Sequence, residues 1–213
     1  TEEQVRRRMK IIAPYTKWVR SFSCTEGNEF IPVIAREYGI KTLVGAWLGD
    51  DPEVNEKEIA GLIKLSNEGF VDIAAVGNEV MYRKDLTEEE LLAFIDQVRQ
   101  SIPKNIPIGY VDAYYEFSAR PNITAFCDVI LTNCYPYWEG CSLEYSLDHM
   151  KSMYHHALHA GDGKKVIITE TGWPSQGESF KGAHPSKESA LKYFLNTQLW
   201  SKEENIDIFY FSS

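Results

Sequence analysis

At 213 residues, 44% hydrophobic and 25% charged, the chain is long enough for one well-filled domain and short of the roughly 250 residues typical of an intact eight-fold α/β barrel. A formal net charge of −9 without clustered Lys or Arg argues against a nucleic-acid or anionic membrane surface and favours a neutral or small partner. There is no run of about 18 apolar residues suited to a membrane span, and the opening Thr-Glu-Glu-Gln-Val-Arg-Arg-Arg does not read as a secretory leader.

Residues 2–15 carry helical spacing, with Val5, Met9 and Ile12 on one face and Arg6, Arg7 and Lys10 on another. Residues 18–24 read as a strand, 28–38 as a helix stopped by Gly39, and 41–49 as the next strand. Asp50-Asp51-Pro52 opens a helix that runs to Gly69. Residues 72–80 form a strand, and Thr87 with Glu90 caps a helix reaching about Ile102. Then come a strand over 107–115, a short helix over 119–126, a strand over 128–138 with an aromatic end, and a long amphipathic helix over 142–160. Residues 165–171, an apolar run between Gly-Asp-Gly-Lys-Lys and Gly-Trp-Pro, read as a strand covered on both faces. A helix over 186–204 and a strand from Asp207 finish the chain.

Strict helix–strand alternation implies right-handed crossovers and a parallel sheet. A doubly wound sheet would want a glycine-rich phosphate turn, and neither G-x-G-x-x-G nor a Walker sequence is present. The expected fold is therefore a TIM (β/α)8 barrel over one domain, 1–213. Its phase, helix first and strand last, implies that a first strand lies before Thr1 and a last helix after Ser213.

Two of the strands end in carboxylates. Glu170 sits at the tip of the apolar run, and Glu79, preceded by Asn78, ends its own strand. Strand tips are where parallel α/β folds place chemistry. Two carboxyl groups about 5 Å apart on one rim are the arrangement of retaining glycoside hydrolysis, in which one attacks the anomeric carbon and the other serves as acid and then base. Arg20, Asn78 and Tyr135 are candidate donors to a nucleophilic Glu170. Taken singly, a strand-end Glu is more often a salt-bridge or cap partner than a catalyst.

Cys24, Cys127, Cys134 and Cys141 are too widely spaced for a zinc ribbon and too few for a disulfide scaffold. They read as buried thiols, with a single bridge left open. His155, His156 and His159 share one long helix, but that helix belongs to the outer ring and lacks an H-E-x-x-H motif, so no metal is expected.

The segments Val76-Gly77-Asn78-Glu79-Val80 and Ile168-Thr169-Glu170-Thr171-Gly172-Trp173-Pro174-Ser175 resemble the two signature segments of glycoside hydrolase family 17, the β-1,3-glucanase family of clan A. Trp18 to Ser23, Tyr110 to Phe117 and Tyr135 to Gly140 extend the resemblance, the last two in the manner of the compact bacterial and fungal-type members. With one strand before Thr1, Glu79 falls on strand four and Glu170 on strand seven, as in that clan. The resemblance implies that Glu170 is the nucleophile, Glu79 the acid/base and Asn78 a donor to the substrate 2-hydroxyl. It further implies that Tyr135 tunes the nucleophile and that Arg20 holds it ionised. Asp112, Tyr115, Tyr137, Trp138 and Glu139 are implied as sugar contacts, while Trp173 either stacks on glucose or packs the loop. A retaining endo-β-1,3-glucan hydrolase without cofactor is expected, acting as a monomer on glucan outside the cytoplasm, whether secreted, on the cell surface or in the periplasm. A β-1,3-glucanosyltransferase with the same pair and a non-catalytic glucan-binding remnant are the alternatives.

Overall fold

The computed structural model describes residues 1–211. The elements run α1 (Glu2–Ile12), β1 (Trp18–Ser21), α2 (Phe30–Glu37), β2 (Lys41–Ala46), α3 (Pro52–Asn67), β3 (Ile73–Asn78), α4 (Val80–Arg83) and α5 (Glu88–Ser101). They continue with β4 (Ile108–Ala113), α6 (Glu116–Ala119), α7 (Pro121–Phe126), β5 (Val129–Asn133), a 3-10 turn (Leu143–Tyr145), α8 (Ser146–Ala160), β6 (Lys165–Thr171), α9 (Lys187–Glu204) and β7 (Ile208–Tyr210). The strands make one sheet in chain order from β1 to β7. Sequential strands joined through helices are the order of a TIM (β/α)8 barrel, the fold class expected from the alternation.

The chain resolves into two compact units, the first comprising Thr1–Asp112 with Phe126–Val129 and the second Ala113–Ala125 with the residues from Ile130 onward. In the first, three helices start where their cap chemistry puts them. Thr1 and Gln4 close a capping box on α1, Asp51 accepts from the Glu53 and Val54 N–H groups ahead of α3, and Thr87 and Glu90 close a second box on α5. Strands β1, β2 and β3 pair in parallel. Because β2 and β3 are covered on both faces, they are apolar almost throughout: Leu43, Val44, Ala74 and Val76 are all but inaccessible.

Strand β1 stops at Ser21, short of the expected residue 24, because the next residues turn to a buried carboxylate on α3. Glu58, 1% exposed, accepts from Ser23 Oγ at 2.6 Å, Cys24 N–H at 2.8 Å, Trp47 N–H at 3.0 Å and Thr25 Oγ1. One side chain thereby ties the loop after β1 to the loop after β2. Glu58→Ala strands these donors, and the expected loss is about 3 kcal/mol, a Tm lower by roughly 6–12 °C for a chain of this size, read by thermal unfolding.

In the second unit, α8 packs on both β6 and α9. The core there joins Cys134, Tyr137, Met150, Met153, Ile168, Trp173, Ala183, Tyr193 and Trp200. The expected helix over 119–126 is two pieces, α6 and α7. Pro121 has no N–H to continue a helix and biases Arg120 out of the helical region, to φ −130° and ψ 71°. Strand β5 ends at Asn133, five residues before its expected limit; Trp138 N–H bonds to the Tyr135 carbonyl and Gly140 N–H to that of Tyr137, which turns the aromatic segment back on itself.

All four cysteines are free thiols, three of them buried. Burial raises Cys134 to about 12, which keeps the thiol protonated and unreactive.

Candidate active site

The tip of β3 departs from a regular strand. Ala75 pairs with Gly109 and Asn78 with Val111, so three residues of β3 span two of β4. The extra residue is a bulge, and bulges next to active sites re-aim side chains. Gly77 takes up the distortion at φ +82°, where any side chain is strained. Two residues on, Glu79 itself is left-handed, at φ 54° and ψ 27°, and begins the single turn of α4.

The first turn of α4 is capped from β4. Met81 N–H donates to Tyr110 Oη at 2.9 Å and Tyr82 N–H to Asp112 Oδ2 at 3.3 Å, while Tyr110 Oη donates to the same carboxylate. Asp112 is 0% exposed. It was expected to contact sugar, but it is buried and holds the helix that follows Glu79. Asn78, 6% exposed, accepts from Arg20 Nη2 at 2.6 Å through Oδ1. With its carbonyl end committed to Arg20, the amide N–H2 end is the part able to donate to a hydroxyl. The Arg20 guanidinium also lies 4.1 Å over the Phe22 ring.

Glu170 occupies a comparable place on β6. Ile168 pairs with Ile208 and Thr171 with Tyr210, so here too three residues of one strand span two of its neighbour. Glu170 is 8% exposed, and Tyr135 Oη donates to its Oε2 at 2.9 Å. The Glu170 carbonyl accepts from Cys134 N–H at 2.9 Å. On either side, Thr169 Oγ1 donates to Asn133 Oδ1 at 2.9 Å and Thr171 Oγ1 pairs with Tyr193 Oη at 2.6 Å, so the flanking hydroxyls are spent inward. Gly172 follows because a Cβ there would lie 2.0 Å from the Phe211 carbonyl oxygen.

The remaining expected contacts divide by burial. Trp138 is 65% and Tyr115 37% exposed, so both have ring surface to offer. Glu139 meets His149 at 2.6 Å. Burial, then the Glu139 charge and hydrogen bond, raises the Tyr114 phenol to about 12. Tyr137 and Trp173 are 2% and 4% exposed and pack edge to face with ring centroids 5.2 Å apart. Their polar atoms are used internally, Tyr137 Oη on the Glu178 carbonyl at 2.5 Å and Trp173 Nε1 on that of His184 at 3.0 Å. Both are packed inside the loop, and Tyr137 in turn meets the exposed Trp138 ring edge to face, centroids 5.0 Å apart. Of the histidines on α8, His156 pairs with Ser118 Oγ and His155 with the Lys151 carbonyl.

Three residues at the Glu79 end went unpredicted. Trp47, 38% exposed, follows β2; its ring lies 4.6 Å under the Arg83 guanidinium. Tyr82, 58% exposed, stands on α4. The helix that carries Arg83 and Tyr82 is too short for periodicity to reveal, and the useful signal was Val-Met-Tyr-Arg following directly on Asn-Glu.

A family model of the BtgE/BtgC glycoside hydrolase domain matches residues 1–213. A Schizosaccharomyces pombe protein named glucan 1,3-beta-glucosidase is 28% identical over 96% of this chain and 69% of its own length. The Emericella nidulans glucan endo-1,3-beta-glucosidase btgC is 26% identical over 83% of this chain and 30% of its own. The solved glycoside hydrolase family 17 β-1,3-glucanosyltransferase of Rhizomucor miehei is 30% identical, with a TM-score of 0.92 over 100% of this chain and 81% of that one. An active-site mutant of the same enzyme has been solved in complex with laminaritriose.

Proposed function

We propose a function from the premise that this chain belongs to the BtgE/BtgC glycoside hydrolases of family 17: it cleaves β-1,3-glucan internally, with retention, through a glucosyl ester on Glu170. The observation that carries the reading is Glu170 at the bulged tip of β6, with the Tyr135 phenol donating to its carboxylate at 2.9 Å. In the first step Glu170 attacks the anomeric carbon while Glu79 gives its proton to the departing glycosidic oxygen. In the second, Glu79 takes a proton from water, which opens the ester and restores the β-configuration. The Asn78 amide donates to the 2-hydroxyl, and Trp138 and Tyr115 supply stacking surface for glucose rings. The chain works as a monomer and, since its substrate is a polysaccharide, outside the cytoplasm.

A second reading is favoured by one observation: the Rhizomucor miehei relative is named a glucanosyltransferase. Transfer uses the same ester and replaces water with a sugar hydroxyl. Early-time chromatography of laminari-oligosaccharide digests by the full-length protein separates the two. Products shorter than the substrate are expected; products longer than the substrate at early times would replace hydrolysis with transfer.

A further inference from the structure

Glu79 is held in a left-handed conformation that disfavours any residue with a Cβ, so its neighbours must fix it there. The Asn78–Glu79 peptide is tied at both ends. Its N–H donates to the Val111 carbonyl at 2.8 Å and its carbonyl accepts from Arg83 Nη1. On the other side of the Glu79 Cα, the Glu79 carbonyl accepts from the Arg83 N–H at 2.8 Å. Arg83 thus holds both carbonyls that flank Glu79, one with its side chain and one with its main chain.

The rest of the guanidinium is anchored away from this peptide. Nη2 donates to the Leu48 carbonyl at 2.8 Å, Nε meets Asp85 Oδ2 at 2.6 Å, and the plane lies over Trp47. Leu48 and Trp47 belong to the loop after β2, which Glu58 pins to α3 through Trp47 N–H. The Glu79 turn is therefore braced against a fixed loop. Asp85 balances the charge of Arg83, so what Arg83 supplies is a planar set of donors in fixed directions. A lysine offers no such set.

We propose that Arg83 is a positioning residue for the reaction: it sets the direction in which the Glu79 carboxyl leaves the tip of β3, and so the delivery of the proton to the departing oxygen. The proposal rests on the reading of Glu79 as the acid/base.

The test compares Arg83→Met and Arg83→Lys with the parent full-length protein on two substrates. One is a laminari-oligosaccharide, whose sugar leaving group needs a proton. The other is dinitrophenyl β-laminaribioside, whose leaving group departs without one. Because misplacement of a general acid costs rate only where a proton is needed, Arg83→Met is expected to lose about 30–100-fold in kcat on the oligosaccharide, with KM within about threefold. The dinitrophenolate burst, which reports the first step alone, is expected to fall less than about threefold. Arg83→Lys should show the same split to a smaller degree and carries the test if the Met variant does not fold. Equal losses on both substrates, or losses confined to KM, would assign Arg83 to folding alone and overturn the proposal. Glu79→Ala is the reference. If it shows the leaving-group split and the Arg83 variants do not, only this inference falls; if Glu79→Ala itself shows no split, the acid/base reading falls and takes the inference with it.

Discussion

Glu170→Gln is expected to lower kcat on laminarin by about 10⁴-fold or more, the scale on which removal of a covalent nucleophile registers. That loss corresponds to roughly 5.5 kcal/mol of transition-state free energy. Gln has the shape of Glu and keeps an oxygen able to accept from Tyr135 Oη, so the wall around position 170 should persist and the melting temperature should move little. What the amide lacks is the ionised oxygen that forms the bond to the anomeric carbon. Glu170 is 8% exposed, so bulk water has poor access to replace it as nucleophile. Unchanged activity in a folded Glu170→Gln protein would sink the mechanism.

Glu79→Ala is expected to cost about 10²–10⁴-fold on glucan, the usual worth of a positioned general acid/base. The loss should depend on the leaving group. On dinitrophenyl β-laminaribioside the glucosyl ester still forms, then persists because no base activates water. Azide needs no deprotonation and enters the space vacated by the carboxyl, so added azide should restore turnover and yield the β-glycosyl azide. Glu170 variants should show no such product of retained configuration. The contrast assigns the two roles separately, which the loss of activity alone does not.

The alternation of elements was legible because parallel strands buried on both faces read as apolar runs, as at residues 73–78 and 165–171. Both candidate carboxylates were legible for the same reason, since an ionisable side chain is costly to hold at the end of a buried run unless it has work to do there. The bulges beneath them were not. One extra residue in β3 or β6 leaves the apolar run intact and shows only in the register with β4 and β7. The short helix α4 depends on capping by Tyr110 and Asp112, far along the chain, rather than on a pattern of its own.

Aromatic residues near strand ends were the least legible. Trp173 lies within a signature segment and Tyr137 and Trp138 in the Tyr135 to Gly140 stretch, yet of the three only Trp138 keeps an exposed ring. Local sequence carries no mark of which ring the loop folds under. Glu58 illustrates the converse: on a helix with Glu56 and Lys57 it reads as one more surface charge. In the structure it is buried among four donors that come from two distant loops.

The central claim is that Glu170 becomes covalently attached to glucose. The most direct measurement is mass-spectrometric peptide mapping of the full-length protein after incubation with a 2-fluoro β-laminaribiosyl fluoride, which forms the ester and slows its hydrolysis. A single added glycosyl mass on Glu170, within residues 165–175, is the predicted result. The same mass on Glu79 or on any other residue would contradict it.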